Sequence, residues 1–139
     1  MSRFVLDAST VLGWCFPDEN VALAEHVAAM LKRGDTAVAP SFWPHEVLNA
    51  LLAGERRKRI SEGLVRAFLR DLAALPIELE RDSAKAVFEQ TQPLSRRYGL
   101  TAYDSAYLRL AIDHRLPLAT LDEELIIACR KAGANLVTP

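Results

Sequence analysis

The chain has 139 residues, a length typical of one domain, and we expect a single domain over residues 1–139. Half of the residues are hydrophobic and a quarter are charged, which excludes the low hydrophobicity and charge excess of disordered chains. The formal net charge of −1 argues against a strongly basic coat of the kind that binds nucleic acid, although it allows a local basic face.

The cysteines and the N-terminal segment indicate the compartment. Cys15 and Cys129 lack the CxxC spacing of zinc or redox sites, so buried reduced thiols are expected. The apolar run that ends at Asp7 is too short for a signal peptide, and no stretch of about eighteen apolar residues is present. We therefore expect a cytoplasmic protein with no membrane association.

The first half of the chain alternates short apolar runs with helical patterns. Arg3–Leu6 is predicted as a buried strand that ends at Asp7. There follow a helix over 9–16 stopped by Pro17, a helix over 18–33 before Gly34, a strand over 36–39, and a helix that starts near 41–44 and ends near 59. Leu48, Leu51 and Leu52 form the apolar stripe of the last helix.

The second half continues this alternation. The predicted elements are a helix from Ser61 through Leu72, a strand over 76–80, a helix over 82–98 with a kink near Pro93, a helix over 101–114, a strand over 118–121, a helix over 122–132 ending at Gly133, and a strand over 136–137. Alternating strands and helices predict an α/β fold whose central, mostly parallel sheet has about five strands covered by helices.

Four carboxylates lie where apolar segments meet the starts of helices: Asp7, Glu46, Asp104 and Asp122. In an open parallel sheet, the active crevice lies outside the carboxyl ends of the strands, so acids at these positions can converge. Each acid alone has an ordinary explanation, because Asp7 and Asp122 can cap helices, Asp104 completes a T-x-x-D pattern, and Glu46 lies in a first helical turn.

Two helical faces favour a shared site over separate caps. Asp104 has apolar neighbours at spacings of three, four and seven, so its charge points towards the protein body and needs compensation. Glu46 aligns with Asn49 and with small alanines, which leaves room for an ion. Clustered carboxylates need a cation, and oxygen ligands without His or Cys suit Mg²⁺ or Mn²⁺, which can activate water for phosphoester hydrolysis.

Four sequence stretches together resemble the PIN-domain ribonucleases, and the length resembles the small VapC-type toxins among them. The stretches are VLDASTVLGW, PSFWPHEVLNAL, YDSAYLRLA and ATLDEEL, which cover nearly the whole chain in the order of the family. The resemblance implies a PIN-like three-layer α/β/α fold. It also implies metal-dependent endonucleolytic cleavage of RNA that leaves a 5′-phosphate and a 3′-hydroxyl.

The resemblance further implies roles for individual residues. Asp7, Glu46, Asp104 and Asp122 would be the catalytic, metal-binding quartet for Mg²⁺ or Mn²⁺, with Asp7 and Asp104 foremost, and Ser9, Asn49 and Thr120 would support them. A homodimer and a cognate VapB-type antitoxin, which can place a basic residue into the acidic site, are implied as well. Two alternatives stay open, namely another Mg²⁺-dependent phosphoryl-transfer enzyme with a nucleophilic aspartate and a VapC-like RNA- or partner-binding module without toxicity.

Six basic residues are candidates for contact with RNA phosphates: Arg56, Arg57, Lys58, Arg59, Arg96 and Arg97. The opposing explanation is a solvated helix end, where basic side chains complement the helix dipole. Aromatic residues, among them Phe16 and Phe42, are candidates for stacking on bases, with core or dimer packing as the ordinary explanation. The RNA target and the number of metal ions do not follow from the sequence.

Overall fold

The structure, a computed structural model, describes residues 2–16 and 21–139. Its centre is a parallel sheet with the strand order β3-β2-β1-β4. The strands are β1 (Arg3–Leu6), β2 (Thr36–Pro40), β3 (Ile77–Glu80) and β4 (Leu118–Ala119). The predicted α/β class with a parallel sheet is confirmed.

Strand β1 lies in the middle of the sheet. Val5 is in register with Val38 of β2 on one side and with Leu118 of β4 on the other. Phe4, Val5 and Leu6 are all fully buried, although successive side chains in a strand point to opposite faces. Both faces of the sheet are therefore covered, as expected for parallel strands in a three-layer α/β/α arrangement.

The prediction of a fifth strand over 136–137 is wrong. Leu136 forms only an isolated parallel bridge with Leu118, so the described residues form a sheet of four strands. β4 itself ends at Ala119 instead of residue 121, because the chain turns at Thr120, whose hydroxyl oxygen accepts the backbone N–H of Asp122. Because β4 has only two residues, it offers few backbone groups with which the segment around Leu136 could pair.

Helices connect the strands and pack on both faces of the sheet. They are α1 (Ala8–Leu12), α2 (Val21–Lys32), α3 (Trp43–Arg56), α4 (Glu62–Ala73), α5 (Ala84–Ala86), α6 (Gln92–Tyr98), α7 (Ala102–His114) and α8 (Glu123–Lys131). Within residues 2–16 and 21–139, no helix combines the length and the apolar character needed to cross a bilayer.

Two helices end earlier than predicted. α1 ends at Leu12, and residues up to Phe16 continue mainly in tight turns, with backbone bonds such as Trp14 N–H to Val11 O. The predicted stop at Pro17 and the predicted helical residues 18–20 lie outside the described residues. α3 ends at Arg56 and not near residue 59, because Lys58 has a left-handed φ of 60° that does not continue a helix.

The irregularity expected near Pro93 takes a different form from a simple kink. A π-helical segment, Val87–Thr91, lies between α5 and α6, and Pro93 follows it in the first turn of α6. Proline has no N–H to donate to the residue four positions earlier, so the regular bond pattern of an α-helix is interrupted here.

The apolar stripe of α3 is rotated from the prediction. The buried positions are Trp43, Val47, Leu51 and Gly54, whereas Leu48 is 36% exposed. Val47, and not Leu48, therefore lies on the buried face of α3. Both residues are apolar and adjacent, so the sequence pattern alone did not decide which of them is buried.

A buried carboxylate that sequence analysis did not single out joins the starts of β1 and β2. Asp35 accepts the backbone N–H of Ser2 at 2.9 Å and Nε of Arg33 at 2.8 Å, and its side chain is 4% exposed. The Ser2 hydrogen bond, assisted by Arg33, holds the pKa of Asp35 below its usual value. The ionised form is therefore the one that the fold stabilises.

We predict that Asp35→Asn lowers the melting temperature at pH 7 and that the difference from the wild type narrows as the pH falls below about 4. The stabilisation from a depressed pKa is fully present above the unfolded-state pKa and is lost as the pH falls through the folded-state pKa. Thermal unfolding from pH 3 to pH 7 measures this, with Asp71→Asn on the exposed side of α4 as the control. A difference that stays constant over the whole range would contradict the assignment.

Candidate active site

Asp7 directly follows the central strand β1 and is the most buried of the four predicted acids. Its side chain does not cap α1, which corrects one of the expected roles. Instead, Oδ2 accepts Oγ–H of Ser9 at 2.7 Å and Oγ1–H of Thr120 at 2.6 Å, and the residue is 5% exposed. Burial raises the pKa of Asp7, the two hydroxyls lower it, and the charges of Glu46 and Asp122 raise it further.

The hydroxyls of Ser9 and Thr120 tie the loop after β4 to Asp7. Ser9 Oγ accepts the backbone N–H of Leu121 at 3.0 Å, and Thr120 Oγ1 accepts that of Asp122 at 3.0 Å. Each hydroxyl thus donates to the carboxylate and accepts from the loop. This arrangement fixes the rotamer of Asp7 and the path of the chain that leads to Asp122.

Glu46 is held by a residue whose polar role the sequence did not reveal. Tyr107 is fully buried, and its hydroxyl donates to Oε1 of Glu46 at 2.6 Å. Phe42 packs edge-on against the ring of Tyr107, with the centroids 5.8 Å apart. Burial raises the pKa of Glu46, Tyr107 lowers it, and the charge of Asp104 raises it. A tyrosine on a buried helical face was the available signal, because a buried phenol needs a hydrogen-bond partner.

Asp104 and Asp122 lie in the first turn of α7 and at the N-terminus of α8. The backbone N–H of Asp104 donates to Oγ1 of Thr101 at 3.1 Å, and Oδ1 of Asp122 accepts that of Leu125 at 3.0 Å, so both predicted capping interactions are confirmed. Asp104 is half-buried, and burial, followed by the charges of Asp122 and Asp7, raises its pKa to about 6.

These electrostatic couplings make the four acids one group. Glu46 and Asp122 act on Asp7, Asp104 acts on Glu46, and both Asp7 and Asp122 act on Asp104. The main contributions to these three shifts come from burial, from hydrogen bonds and from the neighbouring carboxylates. The site therefore concentrates negative charge.

Oxygen donors that repel one another fit a hard divalent cation, because a bound cation would favour the ionised forms of Asp7, Glu46 and Asp104, whose pKa values are raised. Nevertheless, among the described residues, no group of three or more His, Cys, Asp or Glu side chains stands close enough together to hold a metal ion. One oxygen of Glu46 accepts the hydroxyl of Tyr107, and one oxygen of Asp122 accepts a backbone N–H at the N-terminus of α8.

Other predicted site residues are not drawn into this group. Asn49 lies exposed on α3, outside the hydrogen bonds that the described residues make with the acids. The basic residues 56–59 are exposed at the end of α3. On α6, Arg96 donates to Gln92 Oε1 at 2.8 Å, and the guanidinium of Arg97 lies 5.5 Å from the ring of Tyr98.

A large groove lies away from the acids. It has a volume of about 570 Å³ and is lined by residues of α2 and α4 together with Trp14. None of the four acids lines it. Charge and hydrogen bonding, and not cavity size, therefore mark the candidate active site.

The family model described as PIN domain matches residues 4–131. The chain belongs to the PIN-domain family. This PIN domain is 28% identical over 123 residues to Ribonuclease VapC3 of Pyrobaculum aerophilum, a match that covers 88% of this chain and 92% of the relative. The site described above lies within the matched range, from Asp7 to Asp122.

Solved structures show the same fold. PAE2754 from Pyrobaculum aerophilum matches with a TM-score of 0.68 and 22% identity over 91% of this chain and 79% of its own. FitAcB from Neisseria gonorrhoeae matches with a TM-score of 0.62 and 18% identity over 100% of this chain and 98% of its own. A toxin–antitoxin complex from Klebsiella pneumoniae gives 0.50 and 15% over 86% of each chain.

Two buried threonines of this PIN domain form a matched pair for testing the network. Thr120 Oγ1 makes two hydrogen bonds, whereas Oγ1 of Thr10 is buried without a hydrogen-bond partner among the described residues. We predict that Thr120→Val lowers the free energy of unfolding by about 1–3 kcal/mol, because it removes one of the two hydroxyl donors to the buried carboxylate of Asp7 and leaves the backbone N–H of Asp122 without its acceptor. Thr10→Val should change it by less than about 0.5 kcal/mol or be stabilising.

Urea unfolding of the metal-free protein at neutral pH measures both values. Valine keeps the β-branched shape of threonine, so any difference between the variants reports on hydrogen bonding and not on packing. Equal losses at the two positions would show that the network contributes nothing specific to the fold.

Proposed function

We propose that this PIN domain is a Mg²⁺- or Mn²⁺-dependent endoribonuclease, the toxin of a VapBC-like toxin–antitoxin pair. The observation that carries the proposal is the group of mutually repelling carboxylates, Asp7, Glu46, Asp104 and Asp122, three of which have raised pKa values. A cation is the partner that this group lacks. The similarity to Ribonuclease VapC3 over most of the chain supports RNA as the substrate.

The proposed ligands are Asp7 and Asp104 foremost, with Glu46 and Asp122 completing the set. A bound divalent ion would make a water molecule more acidic and neutralise the charge that develops on the phosphodiester. The water oxygen then bonds to phosphorus and the bond to the 3′-oxygen breaks, which gives a 5′-phosphate and a 3′-hydroxyl. No side chain of the protein forms a covalent bond to the substrate.

The remaining residues of the site hold these carboxylates in place. Ser9 and Thr120 fix Asp7, and Tyr107 fixes Glu46, each by a hydrogen bond of 2.7 Å or less. Such outer contacts orient metal ligands and typically change metal affinity or activity by about 10–100-fold when removed. We assign Tyr107 to this supporting group, and Asn49 stays in it as a proposal.

The partners are also part of the proposal. We infer a homodimer in the cytoplasm, inhibited by a VapB-type antitoxin that places a basic side chain among the acids. The match to a toxin–antitoxin complex supports a fold used in such pairs. The excess of negative charge supports the binding of a cation, whether a metal ion or a basic side chain of a partner.

One observation favours a second function, that of a VapC-like binding module without catalysis. The described acids are not drawn together closely enough to hold a metal ion. In a binding module, the acids would bind a basic partner directly, and RNA would not be cleaved.

We predict that Asp7→Asn and Asp104→Asn each lower the rate of RNA cleavage by at least about 100-fold, because removal of a ligand should cost more than removal of an outer contact. Both variants should fold, since neutralising a carboxylate with a raised pKa relieves repulsion in the metal-free protein. The measurement is sequencing of RNA ends after incubation with Mg²⁺ or Mn²⁺, with Asp71→Asn as the control. Full activity in either variant would exclude the metal role, and a trapped aspartyl-phosphate would indicate the other phosphoryl-transfer chemistry.

We also predict that cleavage at a limiting metal concentration falls steeply as the pH drops below about 6. The pKa of Asp104 in the metal-free protein is raised to about 6, and protons compete with the cation below that value. The rate is measured from pH 5 to pH 8 at low and high Mg²⁺. Saturating Mg²⁺ should shift the profile to lower pH, and a profile independent of metal concentration would contradict the competition.

A further inference from the structure

A cleft adjoins the acidic site and contains charges of both signs. Its volume is about 350 Å³, and its lining includes Ser9 and Asp122 together with Arg57 and Arg59. One part of the lining therefore belongs to the acidic site, through Ser9 and Asp122. Another part is basic and consists of Arg57 and Arg59, just after α3. A ligand with a negative group beside the metal site and a second negative group nearby would match this arrangement.

The rest of the lining is apolar. Ala50, Ala53 and Gly54 of α3 are its small residues, and Leu12, Phe16 and Leu121 are its large ones. A volume of about 350 Å³ is at the lower end for ligand sites and suits a unit of the size of one nucleotide.

Arg59 is held in place by aromatic packing. Its guanidinium carbon lies 4.3 Å from the ring centroid of Phe16, which is 5% exposed. Gly54 makes this packing possible, because a Cβ at that position would be 2.6 Å from Cζ of Phe16. The glycine, the ring and the arginine thus form one stack in the lining of the cleft.

The cleft separates the six basic candidates into two groups. Arg57 and Arg59 line it, whereas Arg56, Lys58, Arg96 and Arg97 do not. The backbone accounts for part of this division: Arg57 is the C-cap residue that follows α3, and Lys58 turns with a φ of 60°, which sets the direction of the chain before Arg59.

We propose that this cleft binds the nucleotide next to the cleaved bond of single-stranded RNA, with Arg57 and Arg59 holding the neighbouring phosphate. The inference rests on the proposed nuclease function. Arginine suits the task, because its planar guanidinium forms paired, charge-assisted hydrogen bonds with phosphate oxygens. The apolar walls contact sugar or base without reading sequence, so the cleft selects unpaired RNA and leaves the choice of target to other surfaces.

Equilibrium binding of a labelled 15-nucleotide single-stranded RNA tests the proposal. The full chain carries Asp104→Asn to prevent cleavage, and binding is measured by fluorescence anisotropy in Mg²⁺ over a range of salt concentrations. Adding Arg57→Ala should raise Kd about tenfold and reduce the slope of log K against log salt by about 0.7, the value for one phosphate contact on a single strand. Arg57→Lys should recover part of the affinity. Arg130→Ala, at the far end of α8, is the control of equal charge and should change Kd less than twofold.

The outcomes separate this inference from the proposed function. A Kd unaffected by Arg57→Ala, or equally tight binding of a duplex of the same length, would overturn the cleft as an RNA site and would favour a protein partner there. RNA binding that depends on Arg57 in a protein whose wild type cleaves no RNA would support the cleft while contradicting the nuclease. Melting temperatures within about 2 °C of the parent protein would exclude misfolding as the cause of a loss.

Discussion

The site depends on one buried interaction, the hydrogen bond from Thr120 to Asp7. It joins the ends of β1 and β4 across 113 positions of sequence and leaves a carboxylate almost inaccessible to water. A buried carboxylate is costly unless hydrogen bonds or a cation compensate it. Ser9 and Thr120 provide the hydrogen bonds, but these only partly offset desolvation, since the pKa of Asp7 remains raised. The uncompensated part is the physical basis of the proposed cation site.

The sheet order makes this interaction possible. β1 lies between β2 and β4, so the chain that leaves β4 passes beside Asp7, while α3 and α7 bring Glu46 and Asp104 near it. Tyr107 then joins α7 to α3 through Glu46. The four acids therefore come from different elements of the fold, and the fold, not any local motif, sets the repulsion among them.

The proposed RNA cleft places basic residues beside the acidic site. The four acids repel a polyanion, so RNA binding needs positive charge at a controlled distance from them. In the proposed binding mode, Arg57 and Arg59 would supply it from the lining of a cleft of about 350 Å³. Gly54 matters here for packing and not for backbone freedom, because it lies inside a helix and simply lets Phe16 approach.

The sequence by itself determined the order of the four strands, the parallel sheet, the capping by Thr101 and Asp122, and which four acids interact with one another. These features depend on hydrophobic periodicity and on hydrogen bonds within one helical turn, which neighbouring residues decide. Only the tertiary structure decided that Val47 and not Leu48 faces inwards, that Asp7 bonds to Thr120 and not to its own helix, that Tyr107 holds Glu46, and which basic residues line the cleft. The physical reason is that these contacts depend on the rotation and spacing of packed elements, which residues far apart in sequence fix together.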